Sequence, residues 1–231
     1  MLKERTKLVL DAAVRDYITV GKPVTSESLF GKYDFGIKPA MIRWELCALG
    51  EDDYFYQNHP SGGRIPTDKA YRFFINELLD SGEEARTSNR FEDLIENFFE
   101  GERTRLIEKM AGYLKTLSVG YEPETDWFMK SGFRNMLENL ALTDRDEILE
   151  VVDDFENLSA RLTKTVGKWH EEDEWPQVFL GKSPITKSPH LAVMVDCFRP
   201  ANQELFVMVI GPKRMDYEKS LNVLRSLERE F

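Results

Sequence analysis

Arg64 stands in an unusual passage, "YQNHPSGGRIPTDK" (residues 56–69), where two glycines, two prolines and the first histidine, His59, crowd around one guanidinium. A glycine pair accepts the positive φ of a tight turn. An arginine held at such a turn projects beside a phosphate or into a narrow minor groove, where the potential is most negative. The same residues also fit a surface hairpin with a solvated arginine. Other reactive side chains form no catalytic pattern. His59, His170 and His190 read as isolated, without a plausible cysteine partner, and no glycine-rich loop has Walker or Rossmann spacing. The serines of "LGKSP" and "SGG" lack a nucleophile-elbow context. The carboxylates of "HEEDE" (170–174) read as a solvated loop in preference to a divalent-cation site. "PKR" (212–214) precedes a helix and is either an anion-holding turn or a structural one. The expectation is a binding protein and not an enzyme, with no cofactor and no metal.

The elements that must carry Arg64 are short helices followed by a hairpin. "ERTKLVLDAAVRDYI" sets Leu8, Val9, Ala12, Ala13 and Tyr17 at helical spacing, and Gly21 and Pro23 end the helix. "VTSESLFGKYD" is a second helix with Thr25 or Ser26 as N-cap. A third begins at Pro39, whose missing N–H costs nothing at a first helical position. Its buried stripe is Ile42, Leu46 and Leu49; Met41, Trp44 and Ala48 point the other way, with Arg43 on the flank. Three small helices and a Gly-rich hairpin, with the turn at Ser61–Gly63, predict a winged helix-turn-helix whose third helix enters the major groove.

Beyond residue 80, "NRFEDLIENFFEGERTRLIEKMAGYLKTLS" predicts a long amphipathic helix, its apolar stripe running from Phe91 to Leu117. "DWFMKSGFRNMLENL" and "DRDEILEVVDDFENLSARLTKTV" follow as two more helices, the second capped by Asp144. From 175 the period changes, and "WPQVFLGK", "HLAVMVDCFR" and "QELFVMVIGP" read as three strands before a closing helix. The fold class is therefore α+β: a winged-helix domain (1–80), a long connecting helix (81–122) and an α/β domain (123–231).

No apolar run reaches the length of a membrane span, the start does not resemble a cleaved signal, and Cys47 and Cys197 read as free thiols in a reducing compartment. A cytoplasmic protein follows. The net charge of −10 excludes a protein that coats nucleic acid all over. Residues 1–80 hold 11 Lys and Arg against 12 Asp and Glu, and the remainder 20 against 29. The acidic remainder repels phosphate, while the near-neutral first third can still present a basic face.

Several stretches resemble the family of the heat-inducible transcription repressor HrcA: "LVLDAAVRDYITVGKPVTSESL", "GIKPAMIRWELCALGEDDYFYQNHPSGGRIPTDKAYRFFINELL" and "VMVIGPKRMDYEKSLNVLRSL". "GRIPTDKAYR" and "VIGPKRMDY" are the specific motifs, and "GFRNMLENLALTDRDEILEVVDDFENL" is a weaker match. The resemblance implies a homodimer bound to double-stranded DNA at an inverted-repeat operator ahead of chaperone genes, released on heat shock and kept active by the GroE chaperonin. It also implies that the α/β domain is GAF-like, with sensing and oligomerising roles. The DNA-contacting set it implies is Thr25, Ser26 and Ser28 at the second helix, Lys38, Met41, Arg43 and Trp44 on the third, and His59, Ser61, Arg64 and Lys69 at the wing.

Two departures stand out. The family pattern at the third helix is like "S-x-A-T-I-R-N-D"; here Lys38 replaces the serine, Met41 the threonine and Trp44 the asparagine. Asparagine pairs bidentately with adenine and tryptophan does not. Either the operator differs, or Trp44 stacks on the DNA backbone or a partner, or it packs on the N-terminal helix or a second subunit. Family members also carry a long stretch where only "YEPETDWFMKS" stands, so the GAF-like domain is expected in reduced form without its dimerising insertion. The stripe 91–117 is then the candidate dimer seam; the competing expectation is that it is consumed in packing on the strands of 175–211, leaving a monomer that pairs only on DNA. A winged-helix interaction module that has lost operator binding is the alternative function.

Overall fold

Helix α1 (Glu4–Val20) ends at Gly21, which adopts φ 68° and returns its N–H to the Tyr17 carbonyl at 2.8 Å. The computed structural model describes residues 2–59, 62–81, 103–140, 142, 144–169, 174–199 and 203–228. The chain divides into two units, residues 1–83 and 84–231.

In the first unit, α2 (Ser26–Lys32) starts from a reciprocal capping box: Ser28 N–H donates to Thr25 Oγ1 at 3.0 Å and Thr25 N–H to Ser28 Oγ at 3.1 Å. Helix α3 (Pro39–Glu51) has Pro39 in its first turn and buries Ile42, Leu46 and Leu49. Strands β1 (Phe55–Tyr56) and β2 (Ile65–Pro66) pair antiparallel, and an isolated bridge joins Val24 to Arg64. Helix α4 (Asp68–Asp80) is capped by Thr67 and buries Tyr71, Phe74 and Ile75. The core of this unit is Val9, Leu10, Ala13, Val14, Leu29, Ile42, Leu49 and Phe74, all at most 2% exposed. Leu8, expected inside, is 61% exposed.

In the second unit a five-stranded antiparallel sheet runs in the order β4-β3-β7-β6-β5, made of β3 (Leu117–Glu122), β4 (Trp127–Ser131), β5 (Gln177–Leu180), β6 (Leu191–Phe198) and β7 (Leu205–Pro212). One face, with Leu117, Val119, Tyr121, Val193, Val195, Phe206, Met208 and Ile210, packs on α6 (Phe133–Asn139), α7 (Arg145–Glu156) and α8 (Leu158–Val166). Helices α5 (Arg103–Leu114) and α9 (Tyr217–Glu228) cover the other. This mixed α+β arrangement is consistent with a GAF-like domain.

The structure corrects the sequence expectation at two strands. Residues 117–122 were expected to end a connecting helix and 126–131 to begin another; instead they form the β3–β4 hairpin, turned at Pro123–Asp126 with Asp126 at φ 54°. Pairing with β7, from Leu117 opposite Ile210 to Tyr121 opposite Phe206, decides it and sets Leu117, Val119 and Tyr121 on the sheet's apolar face. The short segment "YEPETDWFMKS" thus lies largely in that hairpin and supplies an edge strand, so the sheet has five strands where three were expected. Gly120 is required there: a Cβ would stand 2.6 Å from the Trp127 ring.

The proposed seam is corrected in its described half. Leu106, Ile107, Met110, Ala111 and Leu114 are buried within their own unit, with α5 lying along β3 and β4. Residues 91–102 of the stripe lie outside the described residues, as does "HEED" at 170–173. The turn at Lys213–Arg214 is structural: Asp216 Oδ1 accepts from Lys219 N–H at 2.9 Å, placing a carboxylate at the start of α9, and Arg214 Nη2 donates to the Asn139 carbonyl at 3.0 Å. Asp144 caps α7 as expected, accepting from Asp146 N–H at 2.7 Å.

Candidate nucleic-acid interface

Helix α3 presents two unlike faces. Inward, Glu45 is 3% exposed among the apolar residues. It accepts hydrogen bonds from Arg5 Nε at 2.8 Å, Arg5 Nη2 at 2.5 Å and Thr6 Oγ1 at 2.8 Å, which tie α3 to the first turns of α1. A buried carboxylate without such partners would be strongly destabilising. Outward, Lys38, Ala40, Met41, Arg43 and Trp44 are all exposed, Met41 at 41% and Trp44 at 66%. Trp44 therefore does not pack against the N-terminal helix. Arg43 makes no hydrogen bond or ion pair among the described residues. The Glu27 carboxyl is held below the usual carboxylate range chiefly by its own backbone N–H and then by the Ser26 hydroxyl, with the Arg43 charge the smallest contribution.

The remaining expected contacts sort differently. Ser26 is buried and donates to Glu27 Oε2 at 3.1 Å, so it has no outward hydroxyl. Thr25 and Ser28 hold each other in the capping box, and Ser28 Oγ also donates to the Thr25 carbonyl at 2.9 Å. Lys69 is exposed, but Nζ donates to the Asp52 carbonyl at 2.7 Å and lies 4.4 Å from the centre of the Tyr54 ring. His59 is exposed at the hairpin tip, its carbonyl accepting from Gly62 N–H at 2.8 Å. Ser61 lies outside the described residues.

Arg64 is the chief correction. It does not project from the hairpin: Nη2 reaches Cys47 Sγ at 3.0 Å, and Nη1 lies where a Cβ on Gly50 would come within 2.6 Å. The guanidinium folds back onto the C-terminal half of α3 because its backbone is fixed by two hydrogen bonds to Val24, both 2.8 Å. Gly63 also acts otherwise than expected. It does not have positive φ; it is small because Pro23 backbone atoms would stand 2.6 Å from a Cβ there.

Sequence reasoning missed two outward aromatic residues, Phe30 (51% exposed) on α2 and Tyr56 (49%) on β1. The signal for Phe30 was available, since it neighbours the fully buried Leu29 on a short helix and must point away from it. Glu45 was missed as well. A carboxylate on the apolar stripe of α3 signals a buried partner, although spacing alone does not identify Arg5, 40 residues away.

Residues 67–221 match the family model described as the HrcA protein C-terminal domain, from the cap of α4 into α9. The chain belongs to the HrcA family. A heat-inducible transcription repressor HrcA from Thermobifida fusca is 32% identical over 213 residues, covering 82% of this chain and 61% of the relative. The same-named proteins of a Parafrankia species and of Beutenbergia cavernae are 41% identical over 101 residues and 46% over 78, covering 29% and 22% of those relatives. This HrcA family member thus aligns with no more than about three fifths of these relatives' own lengths. A solved crystal structure of a hypothetical protein shares the fold, with TM-score 0.78 and 17% identity over 100% of this chain and 97% of the other. Among the described residues no helix is long and apolar enough to cross a membrane, and no group of three or more His, Cys, Asp or Glu is gathered as metal ligands.

Proposed function

We propose that the first unit is a winged helix-turn-helix and that this HrcA family member is a transcription repressor that binds duplex DNA with α3 in the major groove. The observation that carries this reading is the outward face of α3. The side chains of Lys38, Met41, Arg43 and Trp44 are exposed and make no hydrogen bond or ion pair among the described residues, while Glu45, Arg5 and Thr6 hold the helix from behind. A recognition helix needs both properties, since its reading side chains must be free and its axis fixed. The relatives are named heat-inducible transcription repressors, and the finer reading proposed on that likeness is an inverted-repeat operator ahead of chaperone genes, bound by a homodimer in the cytoplasm. The GAF-like unit is its oligomerising and sensing part, with the GroE chaperonin as a partner. Lys38, Met41, Arg43, Trp44 and His59 are the contacts proposed. Thr25, Ser28, Arg64 and Lys69 brace the helices and hairpin that carry them.

The test is an unbiased selection of duplexes from a random pool with the purified chain. An inverted repeat emerging from the pool is the expected outcome, and a pool that stays random overturns the reading. A protein-interaction module is the second reading. It is favoured by the exposure of Phe30, Met41, Trp44 and Tyr56 and by the inward turn of Arg64.

A further inference from the structure

We propose that α3 reads thymine through its methyl group, with Met41 and Trp44 as the reading side chains; this rests on the DNA-binding function proposed above. The two residues lie three apart, so they are neighbours on one helix face, and both stand in solvent, at 41% and 66% exposure. They fall in the first half of α3, which begins at Pro39, the half whose side chains reach base edges in helix-turn-helix proteins. Neither side chain can make the bidentate hydrogen bonds that identify guanine or adenine. The indole offers one donor and the thioether a weak acceptor. Both offer apolar surface, and on base edges in the major groove the apolar group is the C5-methyl of thymine.

The surroundings favour a groove lined by phosphates over an apolar protein surface. The exposed charged side chains at the start of α3 are both cations, Lys38 at the N-cap and Arg43, with Glu45 turned inward and Glu27 of α2 near Arg43, whereas the exposed carboxylates Glu51, Asp52 and Asp53 gather at the helix's other end. Ala40, exposed beside them, is small and lets the helix backbone approach the base edges. Each half-site should therefore carry thymines opposite Met41 and Trp44, with Arg43 beside them at a guanine edge or a phosphate.

The test uses a duplex taken from the random-pool selection and resynthesised with deoxyuridine in place of thymine, one position at a time. The exchange removes the methyl and keeps every hydrogen-bonding group. At each contacted position the full wild-type chain should bind the uracil duplex about fourfold more weakly, the equivalent of one buried methyl group. Trp44→Ala and Met41→Ala should each bind more weakly and become indifferent to the exchange at one thymine per half-site. Wild-type affinity unchanged at every position overturns the inference and leaves the DNA-binding function standing. So does equal sensitivity in wild type and both variants, because the methyl then acts through duplex shape. A pool from which no duplex emerges overturns the function itself.

Discussion

Removing Arg5 should damage the first unit more than removing the charge of Glu45, although the two form one ion pair. The asymmetry follows from burial. The side chain of Glu45 is 4% exposed and that of Arg5 is 44% exposed. In Arg5→Met the carboxylate stays in place with only the Thr6 hydroxyl, at 2.8 Å, to replace the solvation it has lost. Breaking a buried pair from this side costs about 3–5 kcal/mol. In Glu45→Gln the freed guanidinium turns into water, and the amide oxygen still accepts from Thr6, so the cost is about 1–2 kcal/mol. The double variant Arg5→Met/Glu45→Met buries no charge and should be more stable than Arg5→Met alone. Because the chain has two units, a single melting curve would mix them. Amide exchange at Leu46 and Leu49, both buried in α3, isolates the unit in question. An Arg5→Met variant whose α3 amides are better protected than those of Glu45→Gln would refute the reasoning, as would strict additivity in the double variant.

Three further outcomes are expected. Arg43→Ala should relax base preference at one position of each half-site by about 1–3 kcal/mol in competition binding, and uniform weakening would make Arg43 a phosphate contact. Burial, helped by the charge of Glu204, pushes the Cys197 thiol up to about 12 from 9.0. The folded state thus keeps a proton that the unfolded state loses, and stability should fall as pH rises from about 9 to about 12; alkylation of Cys197 at pH 9 should wait for denaturant, and fast labelling in the native chain would contradict this. Asp154, 2% exposed, accepts from the backbone N–H groups of Lys187 and Ser188 at 2.8 Å each and pairs with Arg161, so Asp154→Ala should cost about 3–5 kcal/mol in urea unfolding of the second unit, and a change under 1 kcal/mol would show that water replaces it.

Local rules made the first unit legible. Gly21, Thr25, Pro39 and the stripe Ile42, Leu46 and Leu49 act through contacts within a turn or two, and the structure has the helix end, the N-cap at Thr25, one of the two residues proposed for it, the helix start and the buried face where those rules put them. The outward position of Trp44 followed from the same 3.6-residue period. Strands β6 and β7 were legible because eight-residue β-rich runs bounded by turn residues have few other readings. Strand β3 was hidden. Leu117 continues the three- and four-residue steps of α5, so one residue satisfied two periods, and only its pairing with Ile210 across the sheet selects the strand.

What the sequence by itself determined were the properties carried by neighbours in the chain: where helices start and stop, which of their faces are apolar, and that Lys38, Met41, Arg43 and Trp44 share a helix. What only the tertiary structure decided was which polar side chains remain free. Arg64 and Lys69 are cations near a hairpin in sequence, yet one reaches Cys47 and the other the Asp52 carbonyl, 17 residues away in each case. Glu45 finds Arg5 at a separation of 40. A long flexible side chain takes whichever partner the fold brings within about 3 Å, and that partner is set by how helices and hairpin pack, which no local spacing encodes.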